Sequence, residues 1–133
     1  MKKRGFTLIE LLAVIVILAI IALIATPIIL GIVEDARKSA AGSSALGFID
    51  AIEKDIALSG LDDNKKVYPT GNNLDISAYG DVIVKGNAPT AGWISVANNY
   101  VILKADLCVD GYRVQLTGHK VDEVKKGDCD NIG

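Results

Sequence analysis

The sequence predicts an α+β fold in which one long N-terminal α-helix packs against a small antiparallel β-sheet. Residues 11–33 carry no charged side chain and are interrupted only by Thr26, Pro27 and Gly31. Apolar residues then recur at helical spacing as far as residue 56. Short strand-like segments, bounded by Gly and Asn, occupy the second half of the chain. One helix followed by a run of strands is typical of α+β proteins.

The apolar run of residues 11–33 is long enough to cross a membrane. As an α-helix these residues span about 35 Å, compared with about 30 Å for the hydrocarbon core of a bilayer. Three cations, Lys2, Lys3 and Arg4, precede the run and favour a cytoplasmic N-terminus, because positively charged flanks stay inside. We therefore expect a single-pass protein of the cytoplasmic membrane whose C-terminal part lies outside.

Two conventional interpretations of this N-terminus fit poorly. A cleaved secretory signal has an apolar core of about 7–15 residues that is followed closely by small residues. Here the nearest small-residue site, Ser39-Ala40-Ala41, lies beyond a cluster of charged residues. An uncut signal anchor fits the topology, but it does not explain Glu10, because a lone carboxylate at the edge of an apolar segment is disfavoured.

The segment GFTLIEL at residues 5–11 offers a third interpretation. With the short basic leader before it and the apolar run after it, this segment resembles the precursor of a type IV pilin. The motif match covers residues 2–11 and extends well to about residue 33. The resemblance implies that a prepilin peptidase cleaves between Gly5 and Phe6 and then methylates the new amine of Phe6. The apolar helix would remain in the mature protein.

The resemblance also gives Glu10 and Pro27 roles in assembly. The carboxylate of Glu10 would pair with the N-terminal amine of Phe6 in an adjacent subunit. A buried charge left alone costs several kcal/mol, whereas a pair in low dielectric is strongly coupled, so this pair would set the register between subunits. The alternative for Glu10 is an interfacial acid that reaches headgroup water. Pro27 removes a helical hydrogen bond and implies either local melting within a fibre or a simple kink.

We expect four segments along the chain. Residues 1–5 form the cleaved leader, 6–33 the transmembrane and fibre-core helix, 34–60 an amphipathic continuation of that helix, and 61–133 a globular head. Small residues between 36 and 47 allow close approach of other helices or of a sheet, and Ser59-Gly60 ends the helix. The helix face predicted to lie on the sheet consists of Leu46, Ile49, Ile52 and Ile56.

The head is predicted to hold a loop and three to five strands. Residues 61–80 carry turn signals, with a short strand or helical turn near 74–78. Strands are expected near residues 82–84, 93–96, 100–105, 112–117 and 120–124, and Asn98-Asn99 predicts a hairpin turn. Cys108 and Cys129 are expected to pair if the head lies outside the cytoplasm, and to be reduced or buried thiols in a reducing compartment.

The sequence predicts no catalytic residue, no cofactor site and no metal site. His119 is the only histidine, and with Gly118 it is interpreted as a surface turn residue. No serine has an evident His-acid partner, and neither a phosphate-binding Gly-rich loop nor a Cys-x-x-Cys pair is present. Two acidic groups do not match EF-hand spacing and are interpreted as solvated loops: Asp62, Asp63 and Asn64; and Asp128, Asp130 and Asn131.

Charge argues against nucleic acid as the main partner. The formal net charge is −2, and removal of the leader would leave 11 basic and 16 acidic side chains, a balance of −5. A surface of this sign repels the phosphate backbone. Sequence-specific nucleic-acid binding is therefore not expected.

The resemblance implies a structural rather than an enzymatic function. Residues 6–133 would polymerise into a helical homo-oligomer, the type IV pilus (fimbrium), which lies outside the cell and serves adhesion or motility. The implied partners are the prepilin peptidase, the pilus assembly platform and its motor, and the membrane before assembly. The alternative is a pseudopilin of a type II secretion system or of a competence and DNA-uptake system. Major pseudopilins of type II secretion systems often hold calcium in the C-terminal region.

Overall fold

The computed structural model describes residues 4–61 and 66–132 of the chain. Within them, one long helix is followed by five strands and two short 3-10 helices, which confirms the α+β class. The 3-10 helices cover Ile76–Tyr79 and Cys129–Asn131. The longer elements are α1, Leu8–Ser59; β1, Gly71–Asp75; β2, Ala91–Val96; β3, Ile102–Val109; β4, Tyr112–Thr117; and β5, Lys120–Lys126.

The chain divides into two compact units, Met1–Ala36 and Arg37–Gly133. The first unit contains the N-terminal part of α1, and none of its described residues is buried. Among the described residues, α1 is the one helix that is long and apolar enough to cross a membrane. A surface of exposed Ile, Leu and Val in this unit is unfavourable in water and favourable in lipid or against other apolar helices.

The second unit is built on a five-stranded meander. The strands lie side by side in chain order, and each pairs antiparallel with the next. The predicted hairpin turn at Asn98-Asn99 joins β2 to β3. There the backbone N–H of Tyr100 donates to the carbonyl of Ala97 at 2.8 Å, and that of Ala97 donates to the carbonyl of Val101 at 2.9 Å. Short connections of this kind suit antiparallel strands.

The C-terminal part of α1 covers the inner face of this sheet. Its buried residues recur every three or four positions, as one face of a helix requires. The predicted Ile49 and Ile52 are fully buried, whereas Leu46 and Ile56 are partly buried and pack against the same core. Four further residues of the helix are buried that were not predicted on this face: Ala41, Gly42, Ala45 and Phe48.

Gly42 shows why the neck of the helix is rich in small residues. A Cβ atom placed on Gly42 would lie 3.6 Å from a methyl group of Val121 and 3.7 Å from one of Val124, both on β5. The helix backbone therefore lies close to the sheet, as predicted. The end of α1 is also where the sequence placed it: the N–H of Gly60 donates to the carbonyl of Ile56, and the last helical residue is Ser59.

The strand predicted at residues 82–84 is wrong. This segment is a loop in which Val82 and Val84 pack against the core while Ile83 is exposed. Its run of apolar residues favoured a strand, but among the described residues the segment pairs with no strand of the sheet, and Val82 and Val84 instead pack their side chains against the core. Residues 74–78, for which a strand or a helical turn was expected, contain both: β1 ends at Asp75 and a 3-10 helix follows.

Candidate processing and assembly site

The first turn of α1 is fixed by Thr7 and Glu10. The backbone N–H of Thr7 donates to Oε2 of Glu10 at 2.9 Å, and the backbone N–H of Glu10 donates to Oγ1 of Thr7 at 3.3 Å. The N–H of Leu11 donates to the carbonyl of Thr7, which is the first helical bond. This is a capping box, in which two N–H groups without helical partners are satisfied reciprocally. The Thr-x-x-Glu spacing thus determines where the helix begins.

The peptide bond between Gly5 and Phe6 lies just before this turn, in a segment without regular secondary structure. Phe6 is 86% exposed, and a Cβ atom built on Gly5 would have no neighbour within 4 Å. Nothing in the described chain shields this bond. A protease needs an accessible backbone, and this segment offers one. Lys2 and Lys3 of the leader lie outside the described residues.

Glu10 lies at the positive end of the helix dipole, where a carboxylate is stabilised. Its side chain is exposed, so another chain can reach it. Within its own chain the carboxylate accepts a hydrogen bond from Thr7. Its pairing with a neighbouring amine stays a prediction.

The helix continues without a break through Pro27. Proline has no N–H to donate to the carbonyl of Leu23, one turn earlier. The hydroxyl of Thr26 donates to the adjacent carbonyl of Ala22 at 2.6 Å, so a side chain supplements the backbone bonding at this turn. Melting around Pro27 within a fibre stays a prediction.

In the second unit, Cys108 and Cys129 are joined in a disulfide with their Cα atoms 5.5 Å apart. Cys108 lies on β3 and Cys129 begins the C-terminal 3-10 helix. The bond therefore ties the end of the chain to the middle of the sheet. The first acidic group, Asp62 to Asn64, lies outside the described residues.

A buried carboxylate on the outer face of the sheet was missed by sequence analysis. Asp106 is 2% exposed and accepts from Arg113 at two atoms, Nε to Oδ1 at 2.9 Å and Nη2 to Oδ2 at 2.6 Å. Nε2 of Gln115 donates to the same carboxylate at 3.2 Å. Asp106 lies directly opposite Gln115 in the register of β3 and β4. An acid between the apolar residues Ala105 and Leu107 of a strand was the available signal, because a buried charge requires partners.

The same guanidinium reaches the C-terminal segment. Nη1 of Arg113 donates to Oδ2 of Asp128 at 3.1 Å, and the side chain of Asn131 donates to Oδ1 of Asp128 at 2.6 Å. Hydrogen bonds from Asn131 and then Arg113 lower the pKa of Asp128 below its usual value. Asp128 is therefore an ion-paired residue, whereas the sequence suggested a solvated one.

His119 lies in the turn between β4 and β5, half exposed, where the sequence placed it. The structure adds a contact that the sequence did not indicate. Nε2 of His119 is 2.9 Å from Oε2 of Glu53, a residue of α1 that is 66 positions away in the chain.

Comparison with known families gives a match at the N-terminus. A family model described as the prokaryotic N-terminal methylation motif matches residues 1–26, the segment that contains the exposed Gly5–Phe6 bond and the capped helix start. No curated protein and no solved structure matches the chain.

Proposed function

We propose, from the premise that this chain is a type IV pilin-like prepilin, that it is a structural subunit which polymerises into a type IV pilus. As a substrate of prepilin peptidase it is a membrane-anchored precursor. Cleavage after Gly5 leaves a mature chain that begins at Phe6.

The observation that carries the proposal is the exposed apolar surface of the first unit. Residues 8–33 bury no side chain within the chain itself, although Ile, Leu and Val dominate their composition. Such a surface needs an apolar surrounding. Lipid supplies it before assembly, and the equivalent helices of neighbouring subunits supply it in a fibre. Because both surroundings are apolar, transfer between them costs little hydrophobic free energy.

Glu10 supports the same proposal. Cleavage creates a cationic amine on Phe6, and the carboxylate of Glu10 is exposed in the first turn of the helix. Within a fibre core, where water is scarce, a carboxylate without a partner is unfavourable, whereas pairing with a cation offsets the cost of its burial. A neighbouring amine is the partner that the processed chain itself provides.

The orientation of the chain in the membrane is inferred from the charge of the leader and from the disulfide. A leader with three cations stays in the cytoplasm, so the second unit lies on the outer side of the membrane. A disulfide between Cys108 and Cys129 suits an oxidising compartment. The assembly platform and its motor would supply the energy for extraction from the membrane.

The direct test is isolation of surface filaments followed by intact-mass analysis and electron microscopy. We expect long filaments made mainly of this chain, with a mass that begins at methylated Phe6. A filament-free surface with a chain that retains residues 1–5 would contradict the proposal. Short filaments confined to the cell envelope would instead assign the chain to a secretion or DNA-uptake pseudopilus.

A variant pair sharpens the test of processing. In Gly5→Leu the new side chain has free space in the protein, so a block in cleavage reports on fit to the peptidase rather than on folding. Arg4→Lys keeps the leader charge and serves as the matched control. We expect the uncleaved mass for Gly5→Leu and the processed mass for Arg4→Lys.

A further inference from the structure

We propose that Asp50, Glu53 and His119 form a binding site for a divalent transition-metal ion of the Zn²⁺ class. Nε2 of His119 is 2.9 Å from Oε2 of Glu53 and 3.5 Å from Oδ1 of Asp50. One ligand atom from each of the three residues lies within 4.8 Å of the other two. The site goes beyond the proposed function and does not depend on it.

The fold holds all three side chains in place. Asp50 and Glu53 are three positions apart on α1, so they share one face of the helix. Ile49 and Ile52, which precede them by one residue each, are fully buried and fix the rotation of the helix about its axis. The helix face that carries the two carboxylates is therefore turned toward the β4–β5 turn.

The third ligand is positioned by its turn. Gly118 has a φ of +57°, a left-handed conformation that glycine adopts without steric cost. Its backbone N–H donates to the carbonyl of Leu103 at 3.0 Å, which ties the turn to β3. His119 follows directly, and its imidazole reaches the helix.

The spacing of the ligand atoms suits a tetrahedral ion. Zinc binds histidine nitrogen and carboxylate oxygen at about 2.0–2.2 Å, so two ligand atoms of a tetrahedral site are about 3.3 Å apart. The distances of 2.9 Å and 3.5 Å from Nε2 of His119 lie on either side of that value. A water molecule would complete four ligands. The imidazole favours a transition metal over calcium or magnesium, which prefer all-oxygen sites.

Charge and access also favour a cation. Two carboxylates face one imidazole, and a neutral imidazole leaves the group with an excess of negative charge. The side chains of Asp50 and His119 are 53% and 55% exposed, and that of Glu53 is 29% exposed. An ion can therefore enter from solvent and then bridge α1 to the β4–β5 turn.

The test is zinc titration of the full-length chain in detergent, purified without a histidine tag and treated with a chelator. With zinc chloride at pH 7.5, calorimetry should give one ion per chain, and the Tm should rise with zinc concentration, because an ion that binds only the folded state stabilises it. Zinc affinity should fall as the pH is lowered, because metal binding competes with protons for the ligand atoms.

Two variants identify the ligands. His119→Asn and Glu53→Gln should each weaken zinc binding at least about tenfold, since loss of even an outer-shell partner typically costs that much. Each should also lose the zinc-dependent rise in Tm while its metal-free Tm shows that it is folded. Glu123→Gln is the matched control, because it removes the same charge from an exposed residue paired with Lys125; its affinity should equal that of the parent.

Three outcomes would overturn the proposal. The first is the absence of zinc binding below about 1 mM, a Kd too weak for a specific site. The second is zinc binding that His119→Asn leaves unchanged, which would assign the ion to other residues. The third is that Ca²⁺ binds as tightly as Zn²⁺ and that neither affinity depends on His119. The carboxylates would then be an ordinary acidic surface and not a specific site.

Discussion

Thr7 and Glu10 bind each other through two hydrogen bonds across the first turn of α1. The carboxylate that we assign to assembly thus already has a partner within its own chain, a neutral backbone N–H. An amine cation on a neighbouring subunit is a stronger partner, because charge-assisted hydrogen bonds are about twice as strong as neutral ones. Assembly would therefore exchange or supplement an existing bond of the Glu10 carboxylate.

Glu10→Gln separates the capping function of this residue from its charge. Glutamine occupies this position of a capping box as glutamate does, so membrane insertion and leader cleavage should be normal. The charge is lost, so we expect filament yield to fall by tenfold or more, as measured by shearing and immunoblotting. Glu10→Val, which loses both functions, is the reference. Normal filaments from Glu10→Gln would mean that capping, and not charge pairing, is what assembly requires.

Asp106→Asn tests the buried ion pair on the outer face of the sheet. The substitution leaves Arg113 without its two charge-assisted bonds, although Arg113 keeps Asp128 as a partner. We expect the free energy of unfolding to fall by about 2–3 kcal/mol.

Chemical denaturation followed by the fluorescence of Trp93, the only tryptophan, measures this loss. Trp93 lies opposite Asp106 in the register of β2 and β3. Glu123→Gln breaks an exposed pair and should change stability by less than about 1 kcal/mol. Equal effects of the two substitutions would contradict a special role for the buried pair.

The disulfide should make a large contribution to the stability of the second unit. Cys108 and Cys129 are 21 positions apart, and cross-linking a loop of this size stabilises a protein by about 3 kcal/mol. We expect the double variant Cys108→Ala, Cys129→Ala to unfold at lower denaturant concentration by that free energy. Dithiothreitol should lower the stability of the parent to a similar extent and leave the variant unchanged. A parent insensitive to reduction would refute this prediction.

The lowered pKa of Asp128 predicts that the folded chain loses stability in acid. Its pKa in the folded chain is lowered by bonds from Asn131 and Arg113, whereas in the unfolded chain it is near 3.8. The contribution of Asp128 is thus present above pH 3.8 and is lost as pH falls toward the folded value. The difference in Tm between the parent and Asp128→Asn should therefore shrink as the pH is lowered below 3.8. Asp130→Asn, which removes the same charge two residues later, within the 3-10 helix that Asp128 precedes, is the control.

Features with local causes were predictable from the sequence. The apolar run of α1 and its end at Ser59-Gly60 were predicted, because each depends on residues that are neighbours in the chain. The Thr7–Glu10 capping box is local too, although it was not predicted. The Asn98-Asn99 hairpin is equally local. The motif at residues 5–11 lies within a single segment, so a family model finds it without any knowledge of the fold.

Features that depend on distant residues were decided by the tertiary structure. Residues 82–84 are apolar, as a short buried strand would be, yet they form a loop in which Val82 and Val84 pack against the core without pairing with the sheet. Asp106 finds Arg113 only once β3 and β4 pair.

Glu53 and His119 are 66 positions apart and come together because a buried helix face fixes one while a glycine turn fixes the other. The sequence by itself determined the anchor, the processing motif and the α+β class, since these follow from local pattern. Packing alone decided which polar side chains meet, because that depends on contacts between elements far apart in the chain.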